Sequence, residues 1–503
     1  MPSGKAPKQK SLSERASWLL FAKTIAYASA LALPLLIVRR LSVLDYGLYK
    51  QAFLVVNSAV QLLPLGFTMS AYYFLPREPE RRGQIVLNIL LYCLFVGGAA
   101  WLLLALRPSL LALVFGQAAL EGYAPLIGLV IALWIFGACL EIISVAHQDT
   151  RLSTLFILGS SISRTIILVA MVLAFGTIRS LIWGAVIHGA LQTAALLIYL
   201  NSQFPGFYRQ FDSGMLRAQL SYAVPLGVSG MLFTLQTDAH NYFVSHQLGP
   251  VVFATYAIGC FDLQLTTMIG EAVNSVLIPT VSLFEKQGES QRIIQLVGAA
   301  QRKLAAVFFP VAALLLVVAP EFIAFLFTRR YLAAVPIFRI NLILLPLNAL
   351  TLDALMRSYA QLRFLIIQIR VVLFAALCVA LWQGIAHFGA IGAISAVVAL
   401  SVLERGMVGI LVGKAAGVSR KDAYLLRDVA KLAAAAAVAA VATWFAKEWM
   451  QGWKPFPVLA ACGILYASVY LAVTIALRVI TPEEKETAKR WLVSARMGVG
   501  LRA

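Results

Sequence analysis

Charge is scarce in this sequence. Only 13% of its 503 residues are Asp, Glu, Lys or Arg, about half the share of an ordinary soluble domain. So few charges could not cover a water-soluble fold of this length, so a soluble globular protein is excluded. Cysteine is scarce too: Cys93, Cys139, Cys260, Cys378 and Cys462 each stand alone in an apolar run. With no CxxC and no Cys/His spacing, nothing points to a disulfide framework or a metal site, and they read as small buried hydrophobes. Long polar segments are also missing. No loop between apolar runs is longer than a bilayer crossing, so no extramembrane catalytic domain fits. Function must be carried out inside the bundle, with no cofactor and no metal expected.

What is present is hydrophobicity: 61% of residues and a mean hydropathy of +0.85. A helix needs about 20 apolar residues to cross a bilayer. Apolar runs between polar breaks give about fourteen spans, at 16–38, 52–75, 84–106, 122–146, 152–175, 180–200, 218–245, 251–281, 296–319, 333–356, 361–384, 387–413, 429–446 and 456–478. The stretch "PEFIAFLFTRRYL" (320–332) is too short to span and reads as interfacial. "MPSGKAPKQKSLSER" is basic and polar, and the long run behind it contains Lys23, so it reads as an uncleaved first helix rather than a signal peptide. An even number of spans puts both termini on one side. Lys and Arg collect there about threefold, which makes that side the cytoplasm. The same bias explains the net charge of +19, so no nucleic-acid partner is expected. Trp444, Trp449 and Trp453 flank the last outer loop, as an interfacial belt would.

The sequence also repeats weakly. "LSVLDYGLYKQAF" (41–53) is echoed after Leu248: Tyr46 matches Phe253, Gly47 matches Ala254 and Tyr49 matches Tyr256, all 207 residues apart. Glu78 and Glu285 keep that offset. "LALVFG" (111–116) is echoed by "IAFLFT" (323–328), 212 residues on. Each pair falls at the same point in a six-span count. The expected fold is therefore an all-α integral membrane protein with two six-helix lobes, a parallel repeat, plus two C-terminal helices. Its parts are a cytoplasmic tail (1–15), an N-lobe (16–200), a linker (201–217), a C-lobe (218–413), the last two helices (414–479) and a second cytoplasmic tail (480–503). Gly47 is expected to permit a tight turn, with Asp45 bonding nearby backbone, at matching outer corners of the lobes.

The six-plus-six-plus-two layout, "LSVLDYGLYKQAF" and "FLFTRRYLAAVPIFRI" together resemble the polysaccharide transporter family. These are the O-antigen and exopolysaccharide flippases of the multidrug/oligosaccharidyl-lipid/polysaccharide exporter superfamily. The resemblance implies two lobes around a cavity. It also implies alternating-access flipping of an undecaprenyl-pyrophosphate-linked oligosaccharide across the bacterial inner membrane, for lipopolysaccharide or exopolysaccharide biosynthesis. The partners it implies are that lipid-linked substrate, membrane lipids, and glycan polymerase or assembly proteins.

Charges inside spans are costly, so they usually face a cavity or a partner. The bases Lys23, Arg164, Arg339, Arg370 and Arg405 are substrate-binding candidates, because Arg grips phosphate oxygens in a bidentate fork. Arg164 has the best claim by depth, near mid-span. Lys23 follows, because the first span lines the cavity in the resembled family. The bland alternative is that each base neutralises a buried acid or snorkels to the interface. Asp238, Asp262 and Glu271 are candidates for coupling to Na+ or H+. They support a rival reading, an ion-coupled multidrug or small-molecule exporter of the same superfamily. Asp353 and Arg357 stand at helical ion-pair spacing and read as structural. An enzyme such as a glycan polymerase would want a large outer loop, and none is present. Which charges share one cavity would separate these readings.

Overall fold

The computed structural model describes residues 33–261, 263–350, 356, 359, 363–419, 422 and 424–479. Lys23, Asp262, Asp353 and Arg357 lie outside the described residues. Ten helices are long and apolar enough to cross a membrane, or up to twelve if each of two bent pairs counts as one span. The chain is thus a multi-pass, all-helical membrane protein. The first expected span and the junction of the tenth and eleventh fall largely outside the described residues, so fourteen is not counted here.

By internal packing the chain divides into residues 1–257 and 258–503. The first unit holds α1 (Val43–Leu62), α2 (Ser70–Arg77), α3 (Arg82–Leu106), α4 (Ser109–Phe115), α5 (Ala124–Ala146), α6 (Thr150–Phe175), α7 (Ile178–Gln203) and most of α8 (Ser213–Gly259). Short polar caps set the helix starts. The Asp149 side chain accepts from Leu152 N–H at 3.1 Å to open α6, and Thr177 accepts from Ser180 N–H at 3.2 Å to open α7. Between them Gly176, at φ 62°, ends α6. Each cap satisfies a donor that a helix start leaves without an internal partner.

The stretch that opens the repeat is not a turn. It is the start of α1. Ser42 accepts from Asp45 N–H at 3.0 Å, and its hydroxyl donates to the Asp45 carboxylate at 2.7 Å. Tyr46, Gly47, Tyr49 and Phe53 are then buried within the helix. Gly47 serves close approach instead of a bend: a Cβ there would collide with the Pro250 carbonyl of α8. The echo has a structural counterpart. α8 breaks at Gly249 (φ 75°) and resumes at Pro250, which stands 207 residues after Val43. The second echo behaves alike. Phe115 and Phe327 are both buried, and each precedes a left-handed residue, Gly116 (φ 69°) or Thr328 (φ 76°). A short 3-10 stretch and a helix with proline in its first turn follow in both places.

The second unit holds α9 (Gln264–Lys286), α10 (Ser290–Phe327), α11 (Val335–Asn341), α12 (Leu344–Leu347), α13 (Arg363–Ala415), α14 (Tyr424–Glu448) and α15 (Pro455–Ala476). Straight, the 53 residues of α13 would extend about 80 Å, far beyond a hydrocarbon core of about 30 Å. The helix breaks at Gly389, where φ is 58°, next to the expected junction of two spans. The segment 320–327, expected to be interfacial, instead extends α10 past a non-helical Val318. Leu304, Ala305, Phe308, Ala312, Leu345 and Leu432 form a core that joins α10, α12 and α14.

Candidate functional site

Arg164 sits on the packed face of α6. Its opposite face carries exposed Leu155, Ile162 and Ile166, which suits lipid. The guanidinium lies over the Trp134 ring of α5, 5.4 Å from its centroid. Trp134 is held in turn: its indole N–H donates to the Ala185 carbonyl of α7 at 3.1 Å. Around this pair are Ser163, 3.5 Å from the His188 ring nitrogen, and Ser160, which accepts from Gln192 at 3.1 Å. Tyr49 and His188 both lie within reach of the Arg164 charge. No carboxylate among the described residues pairs with Arg164. A cation over a ring face is stabilised without being neutralised, so its full positive charge remains.

The rings continue from Trp134. Phe53 meets it edge-on at 5.8 Å, Tyr49 meets Phe53 at 4.7 Å, and Tyr46 meets Tyr49 at 6.0 Å. At the far end Lys50 lies 5.7 Å from the Tyr46 ring centroid. Four buried rings thus run from one cation to another. Lys50 is half-buried and, like Arg164, has no carboxylate partner among the described residues. The sequence reading missed it because the second span was started at residue 52, which left Lys50 in a loop. The signal that finds it is Ser42-x-x-Asp45, a Ser followed three residues on by an acid before an apolar run. That pattern marks a helix start and moves Lys50 about two turns into α1.

The other candidates are spread out and engaged. Arg370 and Glu404, from the two halves of α13, form an ion pair at 3.3 Å. Arg405 donates to the Leu347 carbonyl and the Asn348 side chain, both at 2.7 Å. It also borders an apolar cavity of about 400 Å³ with Gln301, Ser419 and Asp422. Arg339 is exposed and donates to the Leu316 carbonyl at 3.2 Å. Asp238 accepts from the Ser58 hydroxyl at 2.9 Å, which ties α8 to α1. Glu271 is exposed on α9. Among the described residues no cluster of three or more His, Cys, Asp or Glu could hold a metal ion.

Comparison with known proteins places the chain. The profile of a family described as "Polysaccharide biosynthesis protein" matches residues 36–336. The chain belongs to that family. No curated protein sequence matches. Among solved structures, the lipid II flippase MurJ in an inward closed conformation superposes with a TM-score of 0.71 at 14% identity, over 92% of this chain and 98% of that one. An inward-facing multidrug resistance MATE family transporter of the MOP superfamily gives 0.58 at 12% identity, over 78% and 96%. A MOP superfamily transporter from Pyrococcus furiosus, whose binding pocket is described as having reversed polarity, gives 0.55 at 13% identity, over 82% and 99%. At these identities the likeness is one of fold.

Proposed function

We propose that this protein is a transporter of the MOP superfamily that flips a lipid-linked oligosaccharide, carried on undecaprenyl diphosphate, across the inner membrane for surface polysaccharide biosynthesis. Both termini lie in the cytoplasm. The observation that carries the reading is Arg164: a cation inside a membrane helix, held over a ring face and with no carboxylate partner among the described residues. A base inside a span is costly unless it has a job, and a diphosphate entering the bundle needs an unneutralised positive charge. Family membership supplies the polysaccharide context.

The chemistry is non-covalent. A guanidinium offers paired N–H donors to phosphate oxygens, and in a low-dielectric bundle that attraction is far stronger than in water. The head group is drawn in while the polyprenyl tail stays in apolar surroundings. An alanine-rich furrow of about 460 Å³ in the second unit, lined by Ala312, Ala313, Ala433, Ala436, Ala437 and Ala440 among others, is the kind of surface such a tail tolerates. Alternating access of the two lobes then exchanges the faces.

A second reading has its own observation. Asp238 is a carboxylate inside a span whose described partner is the Ser58 hydroxyl. Such a group suits ion coupling in an exporter of the same superfamily.

The deciding experiment reconstitutes the purified protein in liposomes and follows transbilayer movement of an undecaprenyl-diphosphate oligosaccharide, with Arg164→Ala alongside. Movement in the parent and at least a tenfold loss in the variant supports the flippase and its site. Movement that the variant leaves unchanged removes Arg164 from the site. No movement, together with proton- or sodium-driven efflux of an organic cation, overturns the reading in favour of the exporter.

A further inference from the structure

Helices that face lipid show it in what they expose. Along α3 the exposed large side chains are Leu91, Leu94, Phe95, Trp101, Leu102, Leu103 and Leu106. α1 is different. Past its first turn, the positions it exposes are Asn57 and Gln61, both amides. They lie one turn apart, on the stripe that carries Lys50 at i, i+7 and i+11. Two exposed amides a turn apart in hydrocarbon would leave polar groups unpaired, which is costly, so this stripe faces water. α8 extends it. The Thr234 hydroxyl oxygen lies 3.5 Å from Gln61 Oε1, and Thr237 is exposed one turn on. Thr234 and Thr237 donate their one hydroxyl proton back to carbonyls of their own helix, at 3.2 and 2.9 Å, which leaves their lone pairs to accept.

The donor and acceptor inventory narrows the ligand. Asn57 has no hydrogen-bond partner among the described residues, so its carbonyl oxygen and amide N–H groups are open. Gln61 keeps its two N–H donors. Thr234 and Thr237 supply acceptors. Asn57, Gln61, Thr234 and Thr237 carry no charge. A neutral ligand with many hydroxyls, each both donor and acceptor, matches such a surface; the carboxylate beside it, Asp238, already accepts from the Ser58 hydroxyl at 2.9 Å. The positive charge stands at one end only, on Lys50. From Lys50 to Gln61 the stripe runs about 16 Å along the helix, longer than a diphosphate alone requires.

We infer that the α1–α8 stripe of Asn57, Gln61, Thr234 and Thr237 is a glycan-binding track, with Lys50 as the phosphate-facing residue at its end. This rests on the proposed function and deepens it, because it names which part of the lipid-linked substrate each segment of α1 holds. The track reads sugar hydroxyls, and Lys50 reads the charged linkage.

The test measures binding and movement of two probes, undecaprenyl diphosphate bearing an oligosaccharide and bare undecaprenyl diphosphate, in nanodiscs and liposomes. Asn57→Leu/Gln61→Leu should bind the glycosylated probe about tenfold more weakly, the worth of about one net hydrogen bond. Its affinity for the bare probe should stay at the parent level. Asn57→Gln, which keeps an amide, should recover most of the loss. Lys50→Gln should weaken both probes, and Lys50→Arg should restore them. An unchanged melting temperature in each variant shows that the fold is kept. Equal loss for both probes in the double variant, or none, overturns the track while leaving the flippase standing. A parent protein that neither binds nor moves the glycosylated probe overturns the flippase, and the track with it.

Discussion

Arg370 in the second unit and Arg164 in the first are intramembrane arginines held in opposite ways. In the second unit Arg370 meets Glu404, and Arg405 and Arg339 rest on carbonyl oxygens. Lys447, at the end of α14, meets Glu321 at 2.7 Å. In the first unit, apart from the exposed Arg81–Glu78 pair at 3.8 Å, several cations lean on neutral groups. Arg164 lies over Trp134, Lys50 over Tyr46, and Arg77 over Tyr73 at 3.8 Å. Arg82 meets a histidine. A carboxylate partner cancels a charge and fixes two helices, whereas a ring holds a charge and leaves it unspent. Residue type is the same in both units. The partner decides whether the charge is cancelled or kept.

The largest expected effect comes from erasing that difference. Ser160 stands one turn before Arg164, so Ser160→Glu supplies an acid at helical pairing distance. Arg164 would then be neutralised as Arg370 is. Movement of the lipid-linked glycan in liposomes should fall by at least tenfold with the protein still folded. Retained movement would mean that the Arg164 charge is not what the substrate uses.

In the second unit the expectation is reversed: loss of stability, not of transport. Arg370→Ala should cost about 1–3 kcal/mol, because the partly buried Glu404 loses its arginine partner. Replacing both by methionine should recover most of it, since an ion pair can be exchanged for apolar packing at little net cost. Thermal unfolding in detergent measures both. A double variant as unstable as the single would show that the pair itself, and not the loss of one partner, holds α13 together.

The smallest effect sharpens the comparison at the edge of the first unit. His147 ends α5, with Arg82 Nη1 3.5 Å from its Nε2 and the Tyr199 hydroxyl 3.3 Å from its Nδ1. An arginine can only donate, so Nε2 accepts and the ring is neutral. Burial, and then the Arg82 charge, hold His147 below the usual imidazole range, with Asp149 pulling the other way. The unfolded chain therefore takes up this proton first. The contribution is intact above about pH 6.5 and is lost as pH falls below it. Melting temperature followed from about pH 8 to about pH 5 should decline in the parent and decline less in His147→Gln. Parallel curves would show that the ring is no part of the acid sensitivity.

Much of this was legible beforehand in particular residues. The long apolar runs announced a helical bundle in a membrane. The 207-residue offset located two helix starts, Val43 and Pro250, although identities between them are few. The 212-residue offset located two buried phenylalanines before left-handed residues. What failed was the assignment of Gly47 to a turn. A glycine needed for close packing and one needed for a bend look alike until the neighbour is seen, and that neighbour, Pro250, is distant in sequence. Lys50 was misplaced for a similar reason: hydropathy marks where a run is apolar, whereas a cap marks where a helix begins.

By itself, then, the sequence determined the solvent this chain lives in, its helical content and its list of intramembrane charges, because these depend on composition and local periodicity. The tertiary structure decided which charges are spent. That Arg370 faces an acid, Arg164 a ring, and Asn57 neither depends on helix rotation and on partners far along the chain, which periodicity does not encode. Side-chain surroundings, not side-chain identity, separate the cation that a carboxylate neutralises from the one that a ring holds.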